Sequence, residues 1–166
     1  MCIRDSFTLS LVFLACAWSP AGQASDPYKT DAPVDLVLPR LDGGEVAIDG
    51  LRGQWVVLNY WATWCAPCRE EIPELMTLHG QREDITVLGL AYEEVEEGVF
   101  DDFLQEFQPN YPILLVDVFS PPEPFGAPKV LPTTVLLDPR GHAVKGFVGP
   151  VTRAQLEAFI DRVPSP

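Results

Sequence analysis

Two long apolar runs occupy the middle of the chain, WVVLNYWA (Trp55 to Ala62) and ITVLGLAY (Ile85 to Tyr92). Both are rich in β-branched and aromatic residues, the pattern of strands covered on both faces, as in a parallel sheet. Between them the period lengthens. Ile72, Leu75 and Met76 share one helical face, and Gly80 stands where such a helix ends. Strand, helix, strand is a βαβ unit, whose crossover is right-handed. A second helix is predicted from about Glu94 to Phe107. Val99, Phe100, Phe103, Leu104 and Phe107 form its apolar face, and Glu93, Glu94, Glu96 and Glu97 lie near its positive end. The stretch YPILLVD then reads as a short strand.

The flanks are patterned differently. VDLVLPRLDGGEVAIDG holds two short apolar stretches around Asp42-Gly43-Gly44, a hairpin signal. TTVLLDPRGHAVKGFVG is two strands around Asp138-Pro139-Arg140-Gly141, with proline and glycine where a type I turn favours them. Thr152 and Gln155 then form a capping box before a helix whose apolar face is Leu156, Phe159, Ile160 and Val163. Between these regions SPPEPFGAPKVLP, residues 120–132, carries prolines at 121, 122, 124, 128 and 132. Proline removes donors and fixes φ, so this predicts a stiff irregular loop, either a plain connector or a wall beside a binding groove.

With 166 residues, 47% of them hydrophobic, the chain suits one domain with a substantial core, predicted over residues 34–164. Residues 25–33 are polar and proline-bearing and read as a linker. Residues 1–24 read as a signal peptide or an N-terminal membrane anchor. The run FTLSLVFLACAW is too short for a spanning helix of ~20 residues but has the length of a signal-peptide core. Gly22 and Ala24 form a small-x-small cleavage pattern ahead of Ser25. In MCIRDS, Arg4 is offset by Asp5, unlike a net-positive leader, which points to a wrong start or an assembly error at residues 1–6. FLAC offers a second reading, lipidation at Cys16. Either way the domain is expected to be exported, to a bacterial periplasm. The formal net charge of -13 disfavours nucleic acid and anionic membrane surfaces as partners.

Once the export segment is set aside, only Cys65 and Cys68 remain in the domain. A pair with a two-residue spacer closes almost no loop, so it is a poor structural staple. Zinc needs further donors, and His79 and His142 are the only histidines. His79 is predicted at the far end of the helix that begins near Cys68, too distant to share a metal with it. No cofactor is expected. Redox chemistry suits the local sequence better. Cys65 stands where a strand gives way to a helix with Pro67 in its first turn, and there the helix dipole stabilises a thiolate. Cys65 is the expected nucleophile. Cys68, one turn on, is placed to resolve the mixed disulfide, leaving a Cys65–Cys68 disulfide. Trp64 is expected as a partly exposed aromatic beside the nucleophile.

Trp-Cys-Ala-Pro-Cys after VVLNYWAT, with Arg69, Glu71 and Pro73 following in CREEIP, resembles the thioredoxin superfamily, and more narrowly its exported TlpA/ResA-like thiol-disulfide oxidoreductases. The resemblance runs from about Val34 to Val163. It implies an α/β thioredoxin fold: a central mixed β-sheet flanked by helices, with an added N-terminal β-hairpin and a βα insertion. It also implies that Pro132 is cis and faces the dithiol, and that Leu131, Trp64, Ala66 and Pro67 meet the substrate. Thioredoxin carries an aspartate where this chain has Asn59, which cannot take a proton. Glu71, in the C-x-x-E-x-P pattern, is then the expected proton acceptor or tuner of the thiols, whereas adjacent Glu70 is expected in solvent. The implied partners are oxidised protein thiols or apocytochrome c, with a membrane electron donor for re-reduction. With no charge between the cysteines, reduction of partners is the expected direction, as in cytochrome c maturation. The alternatives are a copper(I)-binding chaperone, held by two soft thiolates, and a peroxiredoxin-like peroxidase, whose Pro-x-x-x-Thr context ahead of the cysteine is absent here.

Overall fold

The two apolar runs form the middle of a five-stranded sheet, β3 (Trp55–Trp61) and β4 (Ile85–Ala91), paired in parallel from Trp55 opposite Ile85 to Trp61 opposite Ala91. The structure is a computed structural model that describes residues 26–95 and 98–163. The predicted export segment, with Cys2 and Cys16, lies outside the described residues. Helix α1 (Ala66–Gln81) makes the crossover between β3 and β4. Beyond β4 come α2 (Val99–Phe107) and the edge strand β5 (Ile113–Leu115), with no helix between β5 and β6. On the other side of β3, β6 (Thr133–Leu137) and β7 (Ala143–Val148) run antiparallel, giving the order β5-β4-β3-β6-β7. The N-terminal hairpin, β1 (Val37–Pro39) with β2 (Glu45–Ala47), docks on the β5 edge, where the Leu41 N–H donates to the Ile113 carbonyl at 2.9 Å. Helix α3 (Arg153–Ile160) closes the fold behind its Thr152/Gln155 capping box.

Alternation along β3 sends Trp55, Val57, Asn59 and Trp61 to one face and Val56, Leu58 and Tyr60 to the other. The first face carries the helices. Leu75 and Leu78 of α1 and Leu156 and Ile160 of α3 pack over Trp55 and Val57. Cys68 and Ile72 of α1 pack with Phe100 and Phe103 of α2 around Trp61, whose ring stacks on Phe103 at 4.3 Å. The opposite face is covered without an α-helix, by loop and hairpin residues and a single 3-10 turn at Ile48–Leu51. Tyr28, Val34, Leu38, Ile48 and the half-buried Phe125 of the proline-rich loop lie over Leu58, Tyr60, Leu88 and Leu90.

Three local expectations are corrected. The segment read as a linker is a strap along β7. Thr30 exchanges hydrogen bonds with Ala143, Asp26 accepts from Lys145 Nζ and the Gly146 N–H, and Tyr28 is buried. A Cβ on Gly146 would stand 2.2 Å from the Tyr28 ring, so glycine alone admits that approach. Gly80 does not end α1, which continues to Gln81. Helix α2 starts at Val99 and not near Glu94: residues 94 and 95 are not helical, and Gly98, next to the first helical residue, adopts φ 83, a left-handed conformation outside the helix. Its first-turn acids are Asp101 and Asp102. Among the described residues no helix is long and apolar enough to cross a membrane.

Candidate active site

Strand β3 delivers the chain to the site, and the loop after it is fastened from the side. The carboxylate of Glu93, just beyond β4, accepts from the Thr63 N–H at 2.7 Å and from the Thr63 hydroxyl at 2.8 Å. Two residues later Cys65 caps α1 in an extended conformation, with Pro67 in the first turn. Its carbonyl accepts the N–H groups of Cys68 and Arg69. Cys65 and Cys68 are joined in a disulfide at the positive end of the helix, where a thiolate released by reduction meets the helix dipole.

Both sulfurs are sheltered, Cys68 more than Cys65, while Trp64 beside them is 70% exposed. A groove of about 510 Å3 opens over Cys65, lined on one side by Trp64, Ala66 and Pro67 and on the other by Tyr92 and residues 128–131. The structure therefore brings Trp64, Ala66, Pro67 and Leu131 together at the dithiol. The Leu131–Pro132 peptide bond is cis. Pro132 is buried, and the groove wall at that point is Leu131. The loop of residues 120–132 carries no helix and supplies Pro128, Lys129 and Val130 to the wall.

Behind the disulfide, one helical turn past Cys68, Glu71 is only 4% exposed. One carboxylate oxygen accepts from Asn59 Nδ2 at 2.7 Å and the other from the Val151 N–H at 2.9 Å. Asn59 also donates to Thr134 Oγ1 at 3.0 Å, so the network ties α1, β3, β6 and the loop before α3. Burial pushes the Glu71 carboxyl up to about 7, against the Val151 and Asn59 donors, which pull it down. Burial, and after it the charge of Glu71, raises the neighbouring Tyr111 hydroxyl above the usual phenol range. Glu70, next to Glu71 in sequence, is exposed.

Neither histidine approaches the cysteines as a partner. His79 Nδ1 accepts the Val87 N–H, and His142 lies beside Asp138. Among the described residues no group of three or more His, Cys, Asp or Glu is placed to hold a metal ion. Sequence reasoning passed over Asn59 as a donor and Glu93 as a loop clip. An acid in a glutamate-rich run carries no sign that it reaches back to the loop after β3.

A family model described as the AhpC/TSA family matches residues 29–147. Thiol-disulfide oxidoreductase ResA of Bacillus subtilis is 28% identical, over 86% of this chain and 79% of the relative. ResA of Geobacillus thermodenitrificans is 30% identical, over 78% of this chain and 74% of the relative. Among solved structures, a DsbF homologue from Corynebacterium diphtheriae superposes with TM-score 0.67 at 29% identity, covering 87% of this chain and 96% of that one.

Proposed function

The chain belongs to the AhpC/TSA family and is similar to thiol-disulfide oxidoreductases of thioredoxin fold, and we propose that it works outside the cytoplasm as a reductant of disulfides in partner proteins. The observation that carries this reading is the Cys65–Cys68 disulfide at the N-terminus of α1, on the floor of an apolar groove and one turn from a buried carboxyl.

In the reduced protein the Cys65 thiolate attacks one sulfur of a partner disulfide, and the other sulfur leaves as a thiolate. Cys68 then gives its proton to Glu71 and attacks Cys65 Sγ. The second partner sulfur departs, and two electrons have passed to the partner. Glu71 suits this step because a carboxyl at about 7 both accepts and returns a proton near neutral pH. Trp64, Ala66, Pro67 and Leu131 hold the partner chain, with Pro132 behind Leu131. Apocytochrome c cysteines are a fitting substrate, and a membrane electron donor closes the cycle.

Residues 1–24 provide export or anchoring in this reading, with Cys16 the site of any lipid. The reducing direction follows from the uncharged Ala66-Pro67 spacer, which leaves the thiolate less stabilised than in strong oxidants. The test is the reduction potential of the Cys65–Cys68 couple. A value near thioredoxin, about -270 mV, supports the reductant. A value near the strong periplasmic oxidants, about -120 mV, overturns the direction.

A further inference from the structure

The large apolar side chains standing exposed among the described residues are Val37, Trp64, Val95, Phe119, Val130 and Val148. Four of these six fall in two neighbouring grooves. Trp64 and Val130 line the groove over Cys65. Val95 and Phe119 line a second groove of about 340 Å3, with Leu115, Val116 and Val118 among its other walls. A ridge separates the two: Tyr92 faces the first and Glu93 the second, and the Tyr92 hydroxyl donates to the Val118 carbonyl at 3.5 Å.

Phe119 is 82% exposed, and it is held out by a defined turn in which its own N–H and that of Ser120 donate to Asp117 Oδ1. The proline-rich loop begins next to Phe119 and ends at the Val130–Leu131 wall of the dithiol groove, so one stiff segment shapes both grooves. Clustered exposed apolar groups rimmed by charge mark a surface that meets a partner.

The grooves differ in sign. Lys129 is the one charged side chain lining the groove over Cys65. The second groove is lined by Glu93, Glu94 and Asp117, with no cation among its lining residues. We propose that this second groove docks the oxidised partner protein through a segment that pairs an apolar anchor with flanking Lys or Arg and lies apart from the exchanging disulfide. The separation follows from the charges. A basic residue beside the partner cysteine meets Lys129, whereas one beyond the Tyr92–Val118 ridge meets the carboxylates of Glu94 and Asp117, with Glu93 held by Thr63 behind them. Phe119 and Val95 supply the apolar contact, and Glu94 and Asp117 select the sign. The proposal rests on the thiol-disulfide exchange described above, because the docked partner is its substrate.

Binding is tested without exchange in the full-length chain carrying Cys65→Ser and Cys68→Ser. The probe is a labelled synthetic peptide in which a leucine flanked by lysines is joined to a serine-blocked cysteine position through a Gly/Ser spacer. Controls carry glutamate for lysine, or the lysines directly beside the blocked position. The lysine peptide with the spacer is expected to bind about tenfold more tightly than either control. Phe119→Ser weakens binding of the lysine peptide, and Glu94→Gln combined with Asp117→Asn erases its preference over the glutamate control. Equal binding of the three peptides, or no effect of Phe119→Ser, overturns the docking site. Exchange with glutathione disulfide is measured in parallel in the protein that retains both cysteines, and the groove substitutions made in that background are expected to leave it unchanged. Failure of that exchange refutes the proposed function, whereas normal exchange without a peptide preference refutes the docking site alone.

Discussion

Replacing Glu71 by Gln converts the buried carboxyl into a group of the same shape that cannot ionise, and the effect on stability has a sign set by the pH. In the folded protein burial raises this carboxyl from 4.5 to about 7. Below 4.5 both the folded and unfolded chains hold the proton. Between 4.5 and about 7 only the folded chain holds it, so stability falls as pH rises through that window and is flat above it. At about 1.4 kcal/mol per pH unit, the loss amounts to about 3 kcal/mol.

The amide has a separate, pH-independent cost. Asn59 Nδ2 and the Val151 N–H both donate into Glu71, and an amide offers them one oxygen and two further hydrogens. One buried donor is left without an acceptor, at a cost of about 1–3 kcal/mol. Glu71→Gln is therefore less stable than the parent at pH 4.5, and the gap closes by about 3 kcal/mol on going to pH 8. Urea unfolding of the oxidised proteins across that range, at matched m-values, measures the difference directly. Other titrating groups cancel between the two proteins. Parallel stability curves would show that Glu71 titrates in the folded state as it does in the unfolded chain, and the argument would fail.

Cys68→Ser is expected to accumulate a mixed disulfide between Cys65 and a partner protein, visible on a non-reducing gel, whereas Cys65→Ser forms none. Trapping by Cys65→Ser instead would reverse the roles of the two sulfurs. Trp64→Phe should abolish most of the fluorescence change on reduction, since Trp64 borders the disulfide groove and Trp55 is remote from it in the core; an undiminished change would assign it to Trp61 beneath the site. Tyr28→Ala removes a ring packed on the β7 backbone and should lower the unfolding free energy by about 2–4 kcal/mol in urea. A loss within experimental error would mean that the strap adds nothing to the fold.

What was legible in the chain is what its short-range pattern encodes. The apolar runs of β3 and β4 are long enough to report their own burial, and the capping box of α3 spans four consecutive residues. Tyr28 sits in the polar stretch DPYKTDAP, with no period around it, and its burial depends on a glycine in a strand at the other end of the chain. Nothing local distinguishes it from a linker tyrosine. The start of α2 was misplaced for the opposite reason. A run of glutamates favours a helix N-terminus, but the helix begins only after the left-handed turn at Gly98. Cys65, Cys68 and Glu71 were singled out because they stand three residues apart in one short stretch, and Glu71 because that stretch resembles the C-x-x-E-x-P pattern.

The network behind the dithiol changes what Asn59 means. Read along the chain, Asn59 is only a position that cannot take a proton. In the fold its amide donates to Glu71, 12 positions away, and to Thr134, 75 positions away. A carboxylate at position 59 would face that of Glu71 at hydrogen-bond distance, and the two could not both ionise at neutral pH. With an amide there, a single carboxyl remains in the network. Burial pushes it up while two fixed donors restrain it, and the balance stands at about 7. A fully exposed carboxyl would sit near 4.5 and hold almost no proton at neutral pH. The same carboxyl buried without donors would hold its proton too firmly to exchange it. In the proposed cycle, Asn59 and the Val151 N–H are therefore the groups that keep Glu71 able to take a proton from Cys68 and give it back.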